Sequence, residues 1–392
     1  MRRACLLATI LLIAGLTSTA RAAPQMPPLP APAAIDAEVE RLMAATSARG
    51  LAVAVIDEGQ VTHVRAFGER NAAGQPLTPR TVMYGASLTK AVFAWTVLQL
   101  VEEGVIDLDR PIGEYLARPL PEYYDAEIED RYADYRGLAD DPRWRAITPR
   151  ILLTHSPGFA NFGFLEPDGK LRIHFDPGSR YAYSGDGLIL LQFVLEQGLG
   201  LDIGAEMQRR AFDRFGMVDT AMMWRADFAD DLADGWMADG AVEPHDERSK
   251  PRAAGSMDTS IADFARFAAA YVRGDGLSAE GRAALTRPWL PITTATQFPS
   301  LQPEAPLEGR HPDLAAGLGV IVFDGPQGHG FFKGGHNDST ANTWVCVETG
   351  RRCVVILSND VRSEAAFPSL VRFVLGETGV PFDWEYGPLP PL

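Results

Sequence analysis

Strand-forming sequence stands near both ends of this chain, and a long stretch of helical pattern separates the two. Near one end, "LAVAVIDEGQVTHVRAFGERN" alternates apolar and polar residues and turns at Glu58-Gly59, as a hairpin does. Near the other, "AAGLGVIVFDG", "HGFFKGGH", "ANTWVCVE" and "CVVILSND" are β-rich in turn. The pattern predicts a discontinuous α/β domain, residues 36–112 and 312–378, interrupted by a mostly helical domain over residues 113–311.

Helices are expected at "IDAEVERLMAATSA", "SLTKAVFAWTVLQLVEEG", "DGLILLQFVLEQG", "SIADFARFAAAYVRG" and "PSLVRFVLGE". In the second of these Gly104 stands where a helix ends, and in the fourth Ser260 stands where a cap belongs. Residues 23–35 read as a Pro-rich linker and 379–392 as a Pro-rich tail. The stretch 114–148 is acidic and rich in tyrosine, which suits a surface excursion near a groove or an ordinary solvated loop.

Arg2 and Arg3 precede a short apolar run that ends in small residues at Ala20 and Ala22. This is the layout of a secretory signal peptide over residues 1–22, and the run is too short to span a membrane. The mature protein is therefore expected to be periplasmic or secreted. Removing residues 1–22 takes away Arg2, Arg3 and Arg21 and no acids, which deepens the formal charge from −15 to −18. So acidic a chain, without a basic block, repels phosphate backbones, and nucleic acid is excluded as a partner.

Cys346 and Cys353 flank a turn at "ETGRR", so their sulfurs could meet across one hairpin. Two free, buried thiols are the alternative, because register is not readable here. Two cysteines without neighbouring histidines fill no zinc shell, and neither metal nor cofactor is called for.

Basic charge is written almost entirely as arginine: of 36 basic residues only Lys90, Lys170, Lys250 and Lys333 are lysine. Arginine stays protonated, whereas a crowded or buried lysine can become a neutral base. Lys90 stands three residues after Ser87 at the start of a helix, one turn on and on the same side. Tyr183 follows a Gly-containing turn in "RYAYSGDG" and precedes a helix, and Lys333 ends a strand before Gly334-Gly335. Taken singly, each has an ordinary reading: a helix cap, a core tyrosine, a strand-end charge.

Together, in this order, Ser87-Leu88-Thr89-Lys90, Tyr183-Ser184-Gly185 and Lys333-Gly334-Gly335 resemble the three motifs of the serine β-lactamase and penicillin-binding-protein superfamily. "VLQLVEEGVIDLDRPIGEYL", "ITPRILLTHSPGF" and "DPGSRYAYSG" are also similar to its class C-like branch, which includes esterases and D-aminopeptidases. The resemblance runs from about residue 36 to 376. It implies a β-lactamase/transpeptidase-like fold, an antiparallel sheet flanked by helices with an inserted helical domain.

It also implies that Ser87 is a nucleophile served by Lys90 and Tyr183 as coupled bases, either of which could take the proton. Lys333, a second cation, would favour both neutral Lys90 and the phenolate of Tyr183. By the same resemblance Lys333, Gly334 and Gly335 support and bind substrate, Tyr183 activates the deacylating water, and the backbone N–H groups of Ser87 and His336 hold the oxyanion. His336 and Asp338 equally suit a surface loop. No G-x-S-x-G occurs, so the α/β-hydrolase form of serine chemistry is unsupported.

Two positions depart from the family's pattern. Gly185 replaces an asparagine and Gly334 a threonine, which removes polar anchors for an acylamino group. The expectation is a hydrolase of small-molecule esters or amides acting through an acyl-enzyme, in which Asn and Thr at these positions would narrow its preference for esters over β-lactams, provided the glycine backbone tolerates a side chain. A β-lactamase or D-Ala-D-Ala-type carboxypeptidase, and a catalytically silent relative that binds cell-wall peptides, are the alternatives.

Overall fold

The computed structural model describes residues 26–392, so the expected signal peptide and the first residues of the linker lie outside the described residues. The strands are β1 (Gly50–Asp57), β2 (Gln60–Gly68), β3 (Leu290–Pro291), β4 (Leu314–Ala316), β5 (Ile321–Gly325), β6 (Gly328–His336), β7 (Ala341–Val347) and β8 (Arg352–Ser358). They form one antiparallel sheet in the order β2-β1-β8-β7-β6-β5-β4-β3. Distant chain segments meet inside it, where Leu51 lies opposite Ser358 and Val55 opposite Val354. The β1–β2 turn places both Glu58 (φ 49°) and Gly59 (φ 75°) in the left-handed region, which suits the twist of a two-residue hairpin.

The period-2 alternation of β1 sorts its side chains between two layers. Leu51, Val53 and Val55 pack with Ile35, Val39 and Leu42 of α1 (Pro32–Thr46) and with Leu370 and Val374 of α5 (Phe367–Leu375). Ala52, Ala54 and Ile56 face the opposite core, which holds α2 (Thr89–Glu102) and Phe264 and Phe267 of α4 (Ile261–Arg273). Between these two lies α3 (Gly185–Phe193). Residues 89–100 of α2 are all buried, as befits a helix apolar on every side. Ser260 caps α4 by accepting the N–H of Asp263, and Gly274 ends it at φ 80°.

The tyrosine-rich stretch 114–148 is not a solvated loop but an anchored surface excursion near a groove, with Asp130 at the wall of the main cavity. Tyr123, Tyr132 and Tyr135 are buried around Phe193 of α3, with ring centroids 5.0–5.1 Å away. Aromatic burial anchors a segment whose charge had suggested solvent. Cys346 and Cys353 face each other across β7 and β8 and are joined as a disulfide, with Cα atoms 4.1 Å apart.

Candidate active site

Residues 86–88 form a single 3-10 turn that runs directly into α2, and Ala86 enters it at φ 46°. That turn lifts Ser87 to the wall of a cavity of about 780 Å³ at the junction of sheet and helical region. The helical spacing of α2 then brings Lys90 Nζ to 2.9 Å from Ser87 Oγ. Tyr183, two residues before α3, donates its O–H to the same Ser87 Oγ at 2.8 Å. Ser184 caps α3 by accepting the N–H of Gly187, which fixes the chain beside Tyr183.

Lys333 enters from β6 and donates to the carbonyl of Gly334 at 2.7 Å. Its ammonium and that of Lys90 stand 5.2 Å and 4.9 Å from the centroid of the Tyr183 ring. At Gly335 a Cβ would come within 3.0 Å of Gly85 O and Ser87 N, so glycine is what allows β6 to pass against the nucleophile turn. His336 follows at the strand end; its ring pairs with Glu364 at 2.7 Å, and that hydrogen bond raises its pKa. Asp338 is exposed, does not line the cavity, and takes no part in this constellation.

Electrostatics divide the two candidate bases. Lys90 is 1% exposed, and burial, then the neighbouring Lys333 charge, hold its pKa well below lysine's ordinary value. Burial also lowers Lys333, with Glu385 opposing the effect. Tyr183 behaves contrary to expectation: burial pushes its phenol up strongly, the hydrogen bond to Ser87 opposes this, and Glu385 pushes it further up. The two lysines do not favour a phenolate here, because desolvation of the anion outweighs them. Burial thus pushes Lys90 toward its neutral form and Tyr183 toward its protonated form.

Three residues at this site escaped the sequence reading. His155 stacks on the Tyr183 ring with centroids 4.4 Å apart and accepts the Ser184 N–H at 3.1 Å. Burial, then Lys90 and Lys333, hold it neutral, and its φ of 53° marks a constrained backbone in "THSPGF". The other two are Phe162 and Glu385, and they explain the departures from the family's motifs. A Cβ on Gly185 would lie 2.4 Å from the Phe162 ring, and one on Gly334 would lie 2.1 Å from Glu385 Oε1. The space that asparagine and threonine would fill is already occupied. Asn at 185 and Thr at 334 would require Phe162 and Glu385 to move, which sets a condition on the expected narrowing of the ester preference.

Glu385 and its neighbours come from α6 (Phe382–Tyr386), inside the stretch read as a Pro-rich tail. "FDWEY" carries three aromatics among the prolines, and that was the available signal. Trp384 is fully buried against Tyr181 and Phe332.

Sheet, helices and a serine held between a lysine and a tyrosine define a serine-nucleophile hydrolase of the penicillin-recognising architecture. The chain belongs to the Beta-lactamase family, whose model matches residues 35–376. It is 30% identical over 188 residues to lovastatin esterase of Penicillium rubens, a match covering 42% of this chain and 46% of that protein. The chain thus spans about half the length of that relative. It is 25% identical to the D-alanyl-D-alanine-carboxypeptidase/endopeptidase AmpH of Escherichia coli over 70% of this chain and 71% of AmpH. Its fold matches the octameric penicillin-binding protein homologue from Pyrococcus abyssi with a TM-score of 0.67 at 19% identity, covering 88% of this chain and 79% of the other.

Proposed function

We propose that this protein is an exported serine hydrolase that cleaves an ester or small amide through an acyl-enzyme on Ser87. The reading rests above all on one observation, Ser87 Oγ held 2.9 Å from a buried, neutral-leaning Lys90 and 2.8 Å from the O–H of Tyr183. Lys90 takes the Ser87 proton as Oγ attacks the carbonyl carbon. The backbone N–H groups of Ser87 and His336 receive the developing oxyanion. Tyr183, still a phenol, is placed to give a proton toward the leaving group, and Lys333 supplies fixed positive charge nearby. The likeness to lovastatin esterase supports ester cleavage.

A D-Ala-D-Ala carboxypeptidase is the second reading, favoured by the broad match to AmpH. Against it stand Phe162 and Glu385, which replace the polar anchors an acylamino group uses. Intact-mass analysis after a fluorophosphonate and, separately, a penicillin decides between the two, with Ser87→Ala as control. Labelling by the fluorophosphonate alone, lost in the control, is the expected result. Rapid acylation by the penicillin would promote the second reading, and no labelling by either would remove both.

A further inference from the structure

The buried carboxylate of Glu385 has no counterpart in the three motifs, and it occupies the place where the third motif's hydroxyl would stand. The residue is 6% exposed, lines the cavity beside Lys333 and Gly334, and its Oε2 is buried without a hydrogen-bond partner among the described residues. A carboxylate taken out of water without donors is costly, and a donor supplied by a ligand would relieve that cost. Glu385 lines the same cavity as Ser87, Lys90 and His336, with Oε1 against Gly334, and so faces the site rather than a distant surface.

We propose that Glu385 inverts the charge preference of the substrate pocket, so that the enzyme favours acyl donors bearing an ammonium or other N–H donor near the scissile carbonyl over donors bearing a carboxylate. Lys333 alone would attract an anionic substrate group. With Glu385 beside it, the positive field is offset by an internal anion, and a second carboxylate would meet like charge in a low-dielectric pocket. An ammonium instead finds in Glu385 a charge-assisted acceptor. The inference rests on the proposed acyl-enzyme reading and adds a substrate class to it.

The test uses three p-nitrophenyl esters of nearly equal shape, the alanine (cationic), isobutyrate (neutral) and methylmalonate (anionic) esters, on wild type and Glu385→Gln. Wild type is expected to rank them cationic, neutral, anionic in kcat/KM, with about a hundredfold between the extremes, and Glu385→Gln to shrink that span at least about tenfold. A wild type that favours the anionic ester, or a span unchanged in Glu385→Gln, overturns the proposal. A second readout needs no turnover: protection of Ser87 from fluorophosphonate by 1-aminoethylboronic acid against isopropylboronic acid. The amino compound should protect wild type at roughly tenfold lower concentration. Equal protection by both counts against the role of Glu385. Failure of Ser87 to react with fluorophosphonate at all counts against the acyl-enzyme reading itself, and with it the inference, so the two failures are told apart.

Discussion

At the residue scale, the proposed chemistry rests most on Lys90, which is fully buried with Nζ 2.9 Å from Ser87 Oγ. Lys90→Met keeps an unbranched side chain of similar reach and removes the base. It should lower the rate of fluorophosphonate labelling by roughly a thousandfold while circular dichroism stays native. Retention of most labelling would move the base role elsewhere. The pH profile gives an independent check. Acylation requires neutral Lys90, so kcat/KM should fall as pH drops through its lowered pKa. Lys333 lowers that pKa and Glu385 raises it. Lys333→Met should therefore move the acid limb to higher pH, and Glu385→Gln should move it to lower pH. His155 feels Lys333 but not Glu385, whereas His336 feels both with the same signs as Lys90, so opposed displacements that persist in His336→Asn identify Lys90 as the titrating group.

At the element scale, the parts of the site that were legible are those set by local periodicity. One helical turn separates Ser87 from Lys90, so that pair could be placed from spacing; Lys333, read as ending a strand, instead lies inside β6, which continues through the two glycines to His336. Tyr183 was legible through its position before α3. What was not legible depends on contacts between remote segments: Phe162 against Gly185, Glu385 against Gly334, and His155 beneath Tyr183. The upward push of burial on Tyr183 was not legible for a related reason, because desolvation is a property of the packed site rather than of the motif. The Phe162–Gly185 contact can be tested as a pair. Gly163 N–H bonds Asp186 and Gly185 N–H bonds Asn161 Oδ1, which ties the Phe162 loop to the start of α3. Gly185→Asn should then cost about 1–3 kcal/mol through overpacking. Combined with Phe162→Ala in a double-mutant cycle followed by urea denaturation, the loss should fall short of the sum by about 1 kcal/mol or more. Strict additivity would show that Phe162 is not what excludes the side chain.

At the scale of the whole molecule, family resemblance and fold do not end at the same residue. The family model stops at 376, whereas the sheet's outer core extends to Trp384, which is fully buried and whose indole N–H donates to Thr294 Oγ1 at 3.3 Å. This short helix bridges the sheet and the segment that carries Tyr181 and Tyr183, because Trp384 packs on Tyr181 and Phe332 and the next residue is Glu385. A stretch read as a Pro-rich tail thus closes the core and delivers a carboxylate to the cavity in one step. If so, Trp384→Ala should behave as a core truncation and lower stability by about 3–5 kcal/mol, as deletion of a fully buried indole does. Leu392→Ala, at an exposed position 39% accessible, should change stability by no more than about 0.5 kcal/mol. Urea denaturation of both proteins measures the contrast. Equal, small effects would mean that α6 rests on the surface without supporting the site; a large loss at Trp384 alone would establish that the segment beyond the family's boundary is part of this fold.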